Sequence, residues 1–116
     1  MTIFLFEGLG TLVFLYGINA SQYLTPTSSQ VPNIYWTFFV SAFLFFGIAI
    51  AAPFTGGHIN PAVTIGLAKS QLCESSKILT YIVSQLGGAF AGVFICTYFN
   101  ILVYNLFGHS AQIYST

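Results

Sequence analysis

Three long apolar runs, a polar turn and one abrupt break outline this chain. From about Ile3 to Leu24 nearly every position is apolar or small. Thr25 to Pro32 is polar and holds two prolines, the mark of a turn. A second apolar run, rich in Phe, covers about Ile34 to Ala52. Then Pro53 to Asn60 interrupts with Gly56, Gly57 and His58, and reads as a loop. Pro61 to about Ala68 reads as a helix too short to cross a bilayer. The segment Lys69–Lys77, "KSQLCESSK", is polar, and a third apolar run extends from about Ile78 to Phe99 or on to Phe107. The tail, "GHSAQIYST", is polar again. A bilayer core demands roughly 20 apolar residues of a spanning helix. The pattern therefore predicts spans at about 3–24, 34–52 and 78–99 or longer, with a half-helix at 61–68, all in one domain over residues 1–116.

The break is the informative part. Proline suits a first helical position, where its missing N–H had no partner to lose. Asn60 then falls at the N-cap, where its side chain can satisfy a free backbone N–H. Irregular backbone at membrane depth is tolerated only inside protein or along a watery cavity. Broken helices use their ends there as polar points near the midplane. Spacing alone leaves equal room for such a re-entrant half-helix and for a surface loop followed by an interfacial helix.

Composition strengthens the membrane reading. Only 3% of residues are charged and 56% are hydrophobic, against roughly 25% charged in a soluble domain. Two lysines and two glutamates, with no arginine, could not cover a water-facing surface. An all-α membrane protein is expected. A net charge of zero gives nucleic acid nothing to bind. Cys73 and Cys96 match no metal or redox spacing. No nucleophile, base and orienting group occur together, so no enzyme, metal or cofactor is expected. No basic segment precedes the first run, so nothing there reads as a cleavable signal. The sequon Asn19-Ala20-Ser21 lies too near the membrane to be glycosylated. Glu7 stands inside a span, where an acid costs roughly 2.5–3.5 kcal/mol. It needs a partner, or else sits as an interfacial charge near the N-terminus.

At the break the sequence resembles the aquaporin family, the major intrinsic proteins. His58-Ile59-Asn60-Pro61-Ala62-Val63-Thr64-Ile65-Gly66 fits the family's first Asn-Pro-Ala signature at every position. Glu7-Gly8-Leu9-Gly10-Thr11 with Phe14 and Gly17 looks like the first family helix. Phe46-Gly47-Ile48-Ala49-Ile50-Ala51 looks like the second, and Tyr81, Gln85, Gly88 and Ala89 look like the third. The resemblance covers nearly the whole chain but only the first half of the family's fold. It implies three spans plus a re-entrant half-helix, a half-aquaporin fold. It implies a pore tip at Asn60, Pro61 and Ala62, braced from behind by Glu7, His58 and Gly57. His58 reads as a hydrogen-bonded loop residue rather than a metal ligand. Phe46 is the candidate filter aromatic, with a lipid-facing Phe as the equal alternative. Gly10, Gln85 and Gly88 are the expected helix-packing positions.

Three departures shape the functional expectation. The chain carries one Asn-Pro-Ala and no internal repeat. The family's filter arginine has no counterpart. The segment between Phe46-Gly47 and the motif is shorter than the family's. Lys69 and Lys77 lie on one side of the membrane, which favours a single orientation with the N-terminus in the cytoplasm or an organelle matrix. Inverted self-pairing is disfavoured on the same ground. The first expectation is an integral membrane protein of the plasma membrane or an organelle such as the mitochondrial inner membrane. There it would serve as a non-conducting structural subunit of a larger complex, such as a respiratory one, among lipid and other membrane subunits. The second is a channel for water or small neutral solutes, completed by a second copy or a second-half partner. A fragment with no independent role comes third.

Overall fold

The computed structural model describes residues 1–24 and 34–107. The turn expected at Thr25–Pro32 and the polar tail lie outside the described residues. Among them four α-helices follow one another: α1 (Thr2–Leu24), α2 (Ile34–Thr55), α3 (Pro61–Lys69) and α4 (Ile78–Phe107), with one 3₁₀ turn at Ser75–Lys77 before α4. Among the described residues three stretches are long and apolar enough to cross a membrane: Thr2–Tyr23, Ile34–Thr55 and Ser75–Phe107. α3 has nine residues, about 13 Å at 1.5 Å per residue, less than half a bilayer core. Asn19 sits within α1, where its Nδ2 donates to the carbonyl of Leu15 at 2.9 Å.

The loop expected from Pro53 is a correction. α2 continues through Pro53 to Thr55, and the chain leaves it only at Gly56 and Gly57. Proline removes one helical N–H donor. The residues after it still find carbonyl partners, and Gly56 N–H donates to Ala52 O at 3.1 Å. In a medium without water, keeping those bonds favours helix over loop. Positive φ at Gly56 (89°) and Gly57 (66°) then reverses the chain at little steric cost.

α1 is the central element, with α2 against one side and α4 against another. The α1–α2 seam pairs Phe6 with Phe54, Gly10 with Gly47 and Gly17 with Phe43, so the two helices run antiparallel. The α1–α4 seam pairs Gly8 with Gly88 and Leu12 with Gly92, so these two run parallel. At both seams glycine lets backbone meet backbone. A Cβ at Gly88 would overlap the Gly8 carbonyl, and one at Gly10 would lie 2.6 Å from the Gly47 carbonyl oxygen. Lipid tails are as apolar as leucine, so close approach and polar bonds, not apolar burial, hold such helices together. The burial pattern follows. Glu7, Thr11, Ser21, His58, Thr64, Ser84 and Gln85 are buried, while Phe90, Phe94 and Tyr98 on α4 are exposed.

α3 is capped at both ends. Asn60, with extended backbone, accepts the N–H of Ala62 on its side-chain oxygen at 2.9 Å, and Pro61 takes the first helical position. At the other end Gln71 takes a left-handed φ of 61°. Leu72 N–H reaches Leu67 O at 2.8 Å, and Gln71 N–H reaches Ala68 O at 3.1 Å. This double closure satisfies the last carbonyls of the helix.

Candidate functional site

The loop ahead of α3 is tied to α1 by one carboxylate. Glu7 is fully buried. Its Oε1 accepts the Thr55 hydroxyl at 2.6 Å and the His58 N–H at 3.0 Å. Its Oε2 accepts the Ile59 N–H at 2.6 Å and the Gln85 amide at 2.9 Å. Four donors from three separate segments converge on an acceptor-only group, two on each oxygen. One turn along α1, the Thr11 hydroxyl, bonded to Glu7 O at 2.7 Å, also approaches Ile59 O at 3.3 Å. The Ile59 N–H is thus held by α1, and its carbonyl faces a hydroxyl that it shares with Glu7 O.

Those bonds hold Ile59 in an unusual conformation. Its φ is 41°, in the left-handed region that β-branched residues avoid. Such strain costs of order 1–3 kcal/mol and persists only where the surroundings over-determine it. Here they do. The Ile59 side chain is buried where Gly10 and Gly47 meet, and a Cβ on Gly10 would lie 2.7 Å from its Cγ2. The two glycines therefore serve twice, letting α1 approach α2 and making room for the side chain that anchors the loop.

A second cluster joins α3 to α4. The Thr64 hydroxyl lies 3.1 Å from His58 Nδ1, 3.0 Å from Gln85 Nε2 and 3.3 Å from the Asn60 carbonyl oxygen. The His58 ring stacks on Tyr81, centroids 4.3 Å apart, and the Tyr81 hydroxyl donates to Thr55 O at 2.7 Å. Gln85, expected at a packing seam, instead bridges Glu7 and Thr64 with both amide hydrogens. Its Oε1 is buried with no partner among the described residues. The orientation has a simple cause: turning the amide over would set Oε1 against the Glu7 carboxylate. Gly57 fits against the backbone of Ala52, and its N–H lies 3.4 Å from the Thr55 hydroxyl.

The tip itself is open. Asn60 and Ala62 are exposed and Pro61 is half-buried. The cap occupies Asn60 Oδ1, which leaves Nδ2 with no partner among the described residues. Phe46 stands apart from this site. It is 55% exposed and meets the ring of Phe45 edge-on at 5.7 Å. The thiols of Cys73, half-buried, and Cys96, buried, are both free. Thr55 and Thr64 were not singled out from sequence. Their signal is weak: hydroxyls beside the Gly-Gly turn and inside the Asn-Pro-Ala signature, indistinguishable there from capping residues.

The arrangement is a helix N-terminus with a free amide donor, presented at the end of a strained, polar-braced loop between membrane spans. Residues 1–114 match the sequence profile of the major intrinsic proteins. The chain belongs to the major intrinsic protein family. It is 34% identical to the aquaporin PIP-type of Atriplex canescens, over 91% of this chain and 39% of that one. It is 33% identical to glycerol uptake facilitator protein 2 of Lactiplantibacillus plantarum, over 79% of this chain and 41% of that one. The aquaglyceroporin structure from Plasmodium falciparum superposes with a TM-score of 0.76 at 27% identity. That match covers 95% of this chain and 47% of the other. The chain thus spans less than half the length of these relatives. It is an integral membrane protein, with three helices long and apolar enough to span among the described residues and a half-helix between the second and the third.

Proposed function

We propose that this chain forms one half of the wall of a channel for water or small neutral solutes. A second half-repeat supplies the facing wall. The observation that carries this reading is the free Nδ2 of Asn60 at the exposed tip of α3. A subunit that only packs has no use for an unpaired amide at its tip. A channel half would hold it out as a donor. The positive end of α3 adds to it, favouring lone pairs and disfavouring cations. The printed names of the relatives, a glycerol uptake facilitator and a propanediol uptake facilitator of Salmonella typhimurium, support small neutral hydroxylic solutes. Low charge around the tip is consistent with that class. The structural-subunit expectation drew mainly on what the sequence lacks, and nothing in the geometry of the tip favours it.

Reconstitution into liposomes with stopped-flow light scattering tests the proposal. The chain alone is expected to give background permeability, because one half-helix and three spans enclose half a wall. Co-reconstitution with a second-half polypeptide of the family is expected to raise water or glycerol permeability well above that of empty vesicles. Asn60→Asp should abolish the gain, since Asp keeps the capping oxygen but replaces the donor with an acceptor. A stable complex of the two halves with no permeability would overturn the channel reading and restore the structural-subunit one.

A further inference from the structure

The polar cluster behind the tip contains one hydroxyl, that of Thr64, shared by three neighbours. Thr64 is fully buried, and its Oγ1 has one hydrogen to give and two lone pairs to fill. Gln85 Nε2 can only donate, so it takes one lone pair at 3.0 Å. His58 Nδ1 at 3.1 Å either donates into the other lone pair or accepts the hydroxyl hydrogen. In the first case the Thr64 hydrogen goes to the Asn60 carbonyl at 3.3 Å, and all three contacts are hydrogen bonds. In the second the Asn60 carbonyl keeps only the Thr64 N–H at 3.1 Å, and one of the three contacts is empty. Gln85 closes the alternatives further, because its orientation is fixed by Glu7 at 2.9 Å.

The far edge of the same ring looks outward. The His58 side chain is buried, with the residue 8% exposed, yet its Nε2 has no partner among the described residues. A Cβ added to Gly56 would lie 3.6 Å from both Cδ2 and Nε2. Gly56 and His58, with Thr55, Cys73, Lys77 and Tyr81, line a pocket of about 260 Å³. Stacking on Tyr81 keeps the ring in its plane, and the contact of Nδ1 with Thr64 sets which edge faces inward.

We propose that Thr64 is a positioning residue that fixes His58 as the Nδ1–H tautomer, so that Nε2 presents a lone pair to the pocket lined by Gly56, Cys73, Lys77 and Tyr81. That pocket then meets an acceptor at its inner edge. Water or a hydroxyl-bearing solute entering it can donate to the lone pair, and a group that only accepts cannot. Thr64 touches no solute and acts through His58. The consequence for solutes rests on the channel reading, but the tautomer does not.

The test is nitrogen NMR of the chain labelled with ¹⁵N-histidine in lipid nanodiscs at neutral pH, where no flux is needed. A His109→Gln background leaves His58 as the single histidine. The expected spectrum has a protonated Nδ1 and a bare Nε2. Thr64→Val, which keeps the shape and removes the hydroxyl, should move a measurable share of the proton to Nε2. Thr64→Ser should restore the original spectrum. A protonated Nε2 in the unsubstituted protein overturns the proposal outright and requires no folded variant. An unchanged spectrum in Thr64→Val, with helix content retained by circular dichroism, overturns the role of Thr64. If the tautomer is as expected and the paired halves conduct nothing, the channel reading alone fails.

Discussion

The two glutamates of this chain show what position does to one functional group. Glu7 is buried in α1 among four donors, all of which lie 48 or more residues away. Glu74 lies outside the spans and meets Lys77 at 2.9 Å, with the two side chains 67% and 48% exposed. The Glu74 carboxyl is held below its ordinary pKa, first by the hydrogen bond from Lys77 and then by its charge. Water solvates that pair whether or not it forms, so the bond adds little. Around Glu7 no water competes, and each donor that lost its acceptor would be left buried and unpaired. The buried acid is therefore structural glue between α1, the loop and α4, while the exposed one decorates a connection.

Replacing Glu7 should separate the two regions most sharply. Glu7→Leu orphans several buried donors at ~1–3 kcal/mol each, so a loss of at least about 3 kcal/mol is expected. Denaturation in detergent micelles, followed by the single Trp36, measures it. Glu7→Gln keeps an acceptor and should cost less. Equal stability of Glu7→Leu and the parent would dissolve the distinction between the glutamates.

A neighbouring pair of glycines gives the next effect. A Cβ at Gly88 overlaps the Gly8 carbonyl, whereas one at Gly87 meets nothing within 4 Å. Gly88→Ala should force α1 and α4 apart, at about 1–3 kcal/mol for overpacking. Gly87→Ala, open to lipid, should stay within ~0.5 kcal/mol. Equal losses in the same assay would show that the seam is looser than the geometry implies.

The smallest effect belongs to Glu74. Because its folded-state pKa is depressed, its contribution is present above the ordinary glutamate value and fades as pH falls through the lowered one. Glu74→Gln should leave the neutral-pH midpoint unchanged and remove any pH dependence that the pair contributes in the acidic range. A clear drop at neutral pH would mean that the connection before α4 matters as the Glu7 cluster does.

Much of the architecture was written locally. Apolar run length marks a span because a bilayer core has one thickness. Asn60 followed by Pro61 marks a helix start because both residues act on the nearest backbone groups. α2 ends beyond the proline that marks its end in sequence, since proline ends helices in water more readily than where freed carbonyls have no water to turn to. The need of Glu7 for a partner could be argued from cost, but the identity of its donors could not. Thr55, Ile59 and Gln85 reach it across 48, 52 and 78 residues. No periodicity within a helix encodes such a meeting.

The sequence by itself thus determined three spans, one half-helix and a polar break between them, because each follows from chain-local energetics. Tertiary structure alone decided that Gln85 is a bridge and not a spacer, that Thr64 is the hub behind the tip, and that Ile59 bears a left-handed backbone. It also decided that the Asn60 amide is left free. Those outcomes depend on where α1 and α4 lie against the loop, and that is set by glycines that let backbones touch. A hydroxyl or amide finds its partner only after that approach has been made.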